Sequence, residues 1–251
     1  MPGQVATAQR ATAVIMGAAA VRSFPRCRWG GAERNPYKSS CRRASADGQE
    51  MTAMPQPDHI SALGVSDPAT LDDDIKVVFQ KCVDKLGLVP NVLSAYSLKQ
   101  NKLRNFMAMY NELMLAPSGL SKLEREMVAV VVSSANHCYY CLVAHGQAVR
   151  ALSGDPQLGE MMVMNYRVAP LDARQRAMLD FAWKLTKTPE QVVEADREAL
   201  RAVGLNNEDI FDLADTVGFF NMSNRMAIAT DMIPNPEYHG MNRPIPFQPP
   251  Q

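Results

Sequence analysis

The chain has 251 residues, 47% of them hydrophobic, with 26 Lys/Arg against 26 Asp/Glu and a formal net charge of zero. This length and apolar content allow one large domain or two small ones around a substantial core, and exclude a chain that is disordered throughout. The balanced charge provides no global basic field for nucleic acid or an anionic membrane.

Charge is nevertheless unevenly distributed. Residues 1–50 carry eight Arg/Lys against Glu33, Asp47 and Glu50, which leaves 18 basic and 23 acidic residues for the remainder. No acid precedes Glu33, the arginines are spaced, and residues 12–21 are mostly small. This is the composition of an organellar leader, mitochondrial with plastid as the alternative. The apolar stretch 11–21 is interrupted by Thr12 and Gly17 and closed by Arg22, so it is too short to cross a bilayer. Its weak, alanine-based character argues against a secretory signal. The expected organisation is a leader at 1–50, a domain at 51–233 and a proline-rich tail at 234–251. Two of the five cysteines, Cys27 and Cys41, fall in the leader. The remaining three, with one tight pair, do not make a secreted disulfide framework.

From about residue 69 onward the pattern is helix after helix. Residues 72–86 place Ile75, Val78, Phe79, Val83 and Leu86 on one 3.6-residue stripe, which Gly87 stops and after which Pro90 opens a short helix. Residues 102–115 carry Leu103, Phe106, Met107, Tyr110, Leu113 and Met114 on one side, and Pro117-Ser118-Gly119 is the turn. Ser121 followed by Glu124 reads as a capping box. The helix it opens is apolar all round through 127–132, as suits the middle of a bundle. Asn136-His137 is a brief break, and helical spacing resumes over 139–152. Further helices are expected over 156–164, 172–187 with Asp172 as a cap, 189–203 and 207–229. No alternating strand pattern occurs, so the predicted class is all-α, a single-domain helical bundle. The tail holds five prolines beyond Pro234 and is expected to be non-helical, lying over the surface or a neighbouring subunit.

The chemistry-bearing feature is Cys138-Tyr139-Tyr140-Cys141, with His145 four residues further on and Glu126 twelve residues before the first cysteine. Sulfurs at i and i+3 sit one helical turn apart, and a histidine at i+4 from the second returns to the same face. A thiol oxidised by peroxide needs a second thiol close by before it over-oxidises. His145 supplies a base on the same face, and Glu126 on the preceding helix could orient the imidazole. Three plainer readings compete: two small buried apolar residues, half of a zinc site with His145 and Glu126, or a satisfied core histidine. Structural zinc normally takes two such cysteine pairs, and only one is present. Cys82 falls beside the stripe of its helix and reads as structural. His137 could tune its neighbour Cys138 or act as a cap.

The pattern Glu126-x11-Cys138-x-x-Cys141-x3-His145 resembles the alkylhydroperoxidase D signature of the carboxymuconolactone decarboxylase-like superfamily. Gly87-Leu88-Val89-Pro90-Asn91 and Asn221-x-x-Asn224-Arg225 are similar to its peroxidase-related branch, and the likeness extends over roughly residues 60–240. The resemblance implies an all-helical fold that assembles as homo-trimers or homo-hexamers. It also implies a thiol peroxidase or disulfide reductase activity with no metal, haem or other cofactor. By carry-over, Cys141 would be the peroxidatic thiol, Cys138 the resolving partner and proton donor, and Glu126 with His145 the proton relay. The implied partners are a hydroperoxide substrate and a dithiol reductant of lipoyl or thioredoxin-like type. One position departs from the pattern: Tyr140 stands where alkylhydroperoxidase D has a histidine, and tyrosine is a poor base near neutral pH. Asn221, Asn224 and Arg225 read as holding helix ends or subunit contacts. Two rivals remain: acid/base lactone decarboxylation, which would not need the thiols, and a disulfide switch without turnover.

Overall fold

The computed structural model describes residues 57–243, which are helical with no strand among them. The leader expected over 1–50, with Cys27 and Cys41, lies outside the described residues, as does the end of the tail from 244 to 251. No helix among the described residues is long and apolar enough to cross a membrane.

Helix α1 (Asp73–Leu86) starts after Asp72 and ends at Gly87, whose φ of +75° is the left-handed conformation that closes many helices. The short α2 (Asn91–Tyr96) follows directly after Pro90, and α3 (Gln100–Leu115) buries the apolar face anticipated for it. Both halves of the Ser121/Glu124 capping box form at the head of α4 (Lys122–Ala135). Residues 127–132 of α4 are buried on every side because α5, α6, α7 and α9 all pack against this helix. Those neighbours are α5 (Tyr139–Ser153), α6 (Pro156–Asn165), α7 (Ala173–Lys187) and α9 (Asn207–Ala229), with α8 (Glu194–Ala202) between the last two. The buried guanidinium of Arg125 donates to the carbonyls of Leu113 and Ala116, and so fastens the end of α3 to the start of α4.

Two sequence expectations require correction. The single helix expected over 189–203 is instead a 3-10 turn at Pro189–Gln191 followed by α8, with Val192 and Val193 extended between them. Asp196 explains the break: its carboxylate accepts the Val193 N–H at 2.8 Å and pairs with Lys184 at 2.7 Å, so the helix begins at Glu194. The tail was expected to be non-helical, yet Glu237–Gly240 forms a turn of helix, α10, which starts immediately after Pro236 rather than containing it. The tail also contributes to the interior. Tyr238 is 2% exposed and joins Cys138, Cys141, Tyr140 and Leu88 in a second apolar cluster beside the main core.

Backbone contacts hold that tail in place. The Asn235 side chain accepts the Asn91 N–H at 2.7 Å and donates to the Val89 carbonyl at 3.0 Å, while Asn91 donates to the Ile233 carbonyl. Arg150 on α5 donates to the carbonyls of Tyr238 at 2.8 Å and Met241 at 3.2 Å. Its side chain runs along α6 over Gly159, where a Cβ would come within 2.5 Å of the arginine stem.

Candidate active site

The connection from α4 to α5 sets the thiols. Asn136 ends α4, and His137 takes φ +55°. The His137 N–H reaches the Ser134 carbonyl at 3.1 Å and the Cys138 N–H the Ser133 carbonyl at 2.9 Å. This paired closure, ordinarily built on glycine, turns the chain so that Cys138 becomes the N-cap of α5. Cys141 follows one turn later, and His145 one turn after that. Cys138 and Cys141 are both free thiols, 1% and 2% exposed.

His145 Nδ1 lies 2.7 Å from Glu126 Oε2, both side chains being about nine-tenths buried. With Glu126 ionised, Nδ1 carries the proton and donates it, which leaves Nε2 as the exchangeable position. The edge of Phe220 packs against the ring, centroids 4.7 Å apart. The four residues singled out by spacing thus come together from two helices. Cys141 and His145 also line a partly open cavity of ≈ 30 Å³, room for about one or two waters. Leu93, Phe106, Tyr110, Phe220, Ser223 and Tyr238 are among its other lining residues.

The two thiols are electrostatically unequal. Cys138 is held below the ordinary 9.0, first by the hydrogen bond it accepts from Cys141. Burial opposes this, while the Cys141 and Tyr140 N–H groups at the start of α5 and the charge of His145 add to it. Cys141 is pushed well above 9.0 by that same shared proton and by burial, against hydrogen bonds from Asn224 and Ser223 that favour its thiolate. Of the two, Cys138 is therefore the more readily ionised, while Cys141 is the sulfur lining the cavity. Ionisation and access point to different sulfurs.

Tyr140 does not take over the missing histidine's work. Its hydroxyl accepts the Val92 N–H at 2.9 Å, and burial raises it well above 10.0, so it stays neutral and braces α2 against α5. His137 is exposed and Cys82 is buried in the main core. Asn221 and Asn224 both accept from the Asn136 side chain at 3.0 Å and hold the end of α4, as the sequence suggested. Sequence reasoning missed Ser223, which lines the cavity with Cys141. It also missed Tyr238, for which a proline-rich tail gave no signal. No group of three or more His, Cys, Asp or Glu side chains placed to hold a metal ion occurs among the described residues.

Comparison with known proteins places these residues in context. The family model described as carboxymuconolactone decarboxylase matches residues 102–158, which contain Glu126, Cys138, Cys141 and His145. A peroxidase-related protein from Silicibacter sp. TM1040 is 61% identical over 76% of this chain and 100% of its own, with a TM-score of 0.73. The chain belongs to the carboxymuconolactone decarboxylase family. Within that family it groups with the alkylhydroperoxidase D-like, peroxidase-related proteins. A second such structure, the alkylhydroperoxidase core of a peroxidase-related protein from Ralstonia eutropha JMP134, is 44% identical over 73% of this chain and 97% of its own, TM-score 0.72. The debrominase Bmp8 shares the fold at 15% identity, covering 72% of this chain and 94% of its own, TM-score 0.60. No curated protein matches the chain.

Proposed function

We propose that this family member is a thiol-dependent hydroperoxide reductase. The supporting observation is that Cys141 and His145 line the same cavity, with Glu126 2.7 Å from the imidazole and a second free, buried thiol, Cys138, one helical turn before Cys141. The cycle starts when Cys138, the more readily ionised thiol, loses its proton and then takes that of Cys141. The Cys141 thiolate attacks one peroxide oxygen: the S–O bond forms, the O–O bond breaks, and the sulfur gives up two electrons. The departing alkoxide takes the proton from Cys138, leaving as alcohol. The renewed Cys138 thiolate then displaces hydroxide from the sulfenic acid and closes the disulfide. An external dithiol, lipoyl or thioredoxin-like, restores both thiols. His145, paired with Glu126, favours the anion at the thiol pair throughout. A water-sized cavity admits hydrogen peroxide or the head of a larger hydroperoxide, and an alkyl chain requires the wall to move. Self-association into trimers or hexamers is part of the proposal, supported by Phe211, Met222, Met226 and Ile228 exposed along α9.

The test is consumption of cumene hydroperoxide with dihydrolipoamide by the full chain, beside Cys141→Ser, Cys138→Ser and the double variant. Turnover lost in Cys141→Ser supports the cycle. Activity unchanged in the double variant sinks it in favour of acid/base chemistry. A reversible disulfide without turnover reduces the pair to a switch.

A further inference from the structure

We propose that the Tyr238 hydroxyl is the donor that receives the substrate's oxygen in the thiol cavity, so that the tail of the chain completes the candidate site. This rests on the peroxidase reading above and supplies what that cycle lacks, a group that holds the peroxide beside Cys141.

Tyr238 lines the same cavity as Cys141 and His145, and its side chain belongs with both thiols to the apolar cluster beside the main core. The residue is 2% exposed, and its hydroxyl has no hydrogen-bond partner among the described residues. A buried hydroxyl without a partner destabilises a fold, and phenylalanine would fill the same space without that penalty. Packing therefore does not account for the hydroxyl, whereas a polar ligand in the cavity does. Tyr140 lines the cavity too, but its hydroxyl already accepts the Val92 N–H at 2.9 Å. The backbone around Tyr238 is fastened on both sides. Arg150 donates to the Tyr238 carbonyl at 2.8 Å, the Tyr238 N–H reaches the Asn235 carbonyl at 3.1 Å, and Arg243 further on pairs with Glu160 at 2.6 Å. The ring is thus placed by packing and by its backbone, and its polar end alone is left for a ligand.

The reaction gives such a donor its use. As the Cys141 thiolate attacks one peroxide oxygen, negative charge develops on the other, which departs. A phenol donating to that second oxygen bonds weakly to the intact peroxide and strongly to the alkoxide or hydroxide forming from it. Burial raises the Tyr238 phenol above its ordinary 10.0, so it stays neutral and remains a donor. The hydroxyl keeps its proton throughout, and the proton that leaves with the alcohol or water is the one Cys138 took from Cys141.

The experiment compares the full wild-type chain with Tyr238→Phe and follows loss of the reduced Cys141 thiol by peptide mass spectrometry under two reagents. Hydrogen peroxide carries the oxygens that the phenol would meet. Methyl iodide attacks the same sulfur, is also compact and has no oxygen, so its rate reads thiolate and access alone. The ratio of peroxide oxidation to methylation should fall roughly 10–100-fold in Tyr238→Phe, as when one donor to a developing oxyanion is removed, with methylation itself little changed. An unchanged ratio would overturn the proposal. So would oxidation and methylation falling together, because the hydroxyl would then act on the sulfur or on access rather than on the substrate's oxygen. Turnover of the wild type with dihydrolipoamide is scored separately. A fallen ratio without turnover would leave the donor standing and remove the peroxidase reading, whereas an unchanged ratio with turnover would do the reverse. Tyr238→Phe keeps the ring and its packing, so a variant that failed to fold would show that the hydroxyl has a partner within the chain, and would also overturn the proposal.

Discussion

Glu126→Gln isolates the charge behind His145 from its shape. The carboxylate lies 2.7 Å from Nδ1 in a pocket where both side chains are about nine-tenths buried, so solvent screens the pair weakly. Glutamine keeps the acceptor oxygen and the volume and removes the charge. A hydrogen bond to a charged group contributes about 1.5–3 kcal/mol and a neutral one about 0.5–1.5, a loss of roughly 1–1.5 kcal/mol. That energy supports the charge of His145, which in turn favours the Cys138 thiolate. At 1.36 kcal/mol per tenfold, the second-order rate of thiol oxidation by peroxide should fall about tenfold at pH 7. Its pH midpoint should rise by about one unit, and raising the pH should restore most of the rate. Stopped-flow loss of free thiol measures both. Thermal melting should show at most a few degrees of change, because packing is preserved. A variant within twofold of wild type at pH 7 with an unmoved midpoint would refute the coupling of Glu126 to the thiols.

Three further outcomes follow from the same geometry. Burial raises Tyr110, Tyr140 and Tyr238 above their ordinary 10.0, so above that value the unfolded chain loses phenolic protons that the folded one keeps. Stability present below pH 10 should therefore drop by about 1.4 kcal/mol per pH unit for each tyrosine, and a melting temperature flat to pH 11.5 would contradict the sign. At His137 the left-handed backbone costs a non-glycine residue about 1–2 kcal/mol, of which glycine's extra chain entropy returns about half, so His137→Gly should stabilise by about 0.5–1 kcal/mol. His137→Val should destabilise, and urea midpoints that fail to rank Gly above His above Val would reject the strain. The Tyr238 hydroxyl is buried with no hydrogen-bond partner among the described residues, so Tyr238→Phe should gain about 1–2 kcal/mol, and a loss of melting temperature would show that the hydroxyl has a partner.

The sequence disclosed most where local rules govern. Capping boxes and the all-round apolar run of α4 follow from spacing and side-chain chemistry alone, and so did the helices, because a 3.6-residue stripe needs no knowledge of what it packs against. The break before α8 did not, because Asp196 is held by Lys184 from α7, a contact between elements that no local pattern encodes. The candidate site divides in the same way. Cys138, Cys141 and His145 sit on one helix and could be placed by counting, and the matching spacing brought in Glu126. Ser223 joins the cavity from α9, some eighty residues away, and no local spacing ties it to Cys141.

Tyr238 extends this reasoning to substrate choice. The cavity is closed in part by a tail residue attached through hydrogen bonds from Arg150 and Asn235, whereas Leu93 and Phe106 belong to packed helices. A short tail held by a few hydrogen bonds opens at lower free energy than a long helix packed into the core. Of the walls around Cys141, the tail is therefore the one that can yield to an alkyl group without disturbing α4 or α5. The thiols and the imidazole are mounted on mutually packed helices, as the proposed reaction between fixed atoms demands. On the proposed peroxidase reading, size selection falls instead to the last described turn of the chain, so that chemistry and access can vary independently.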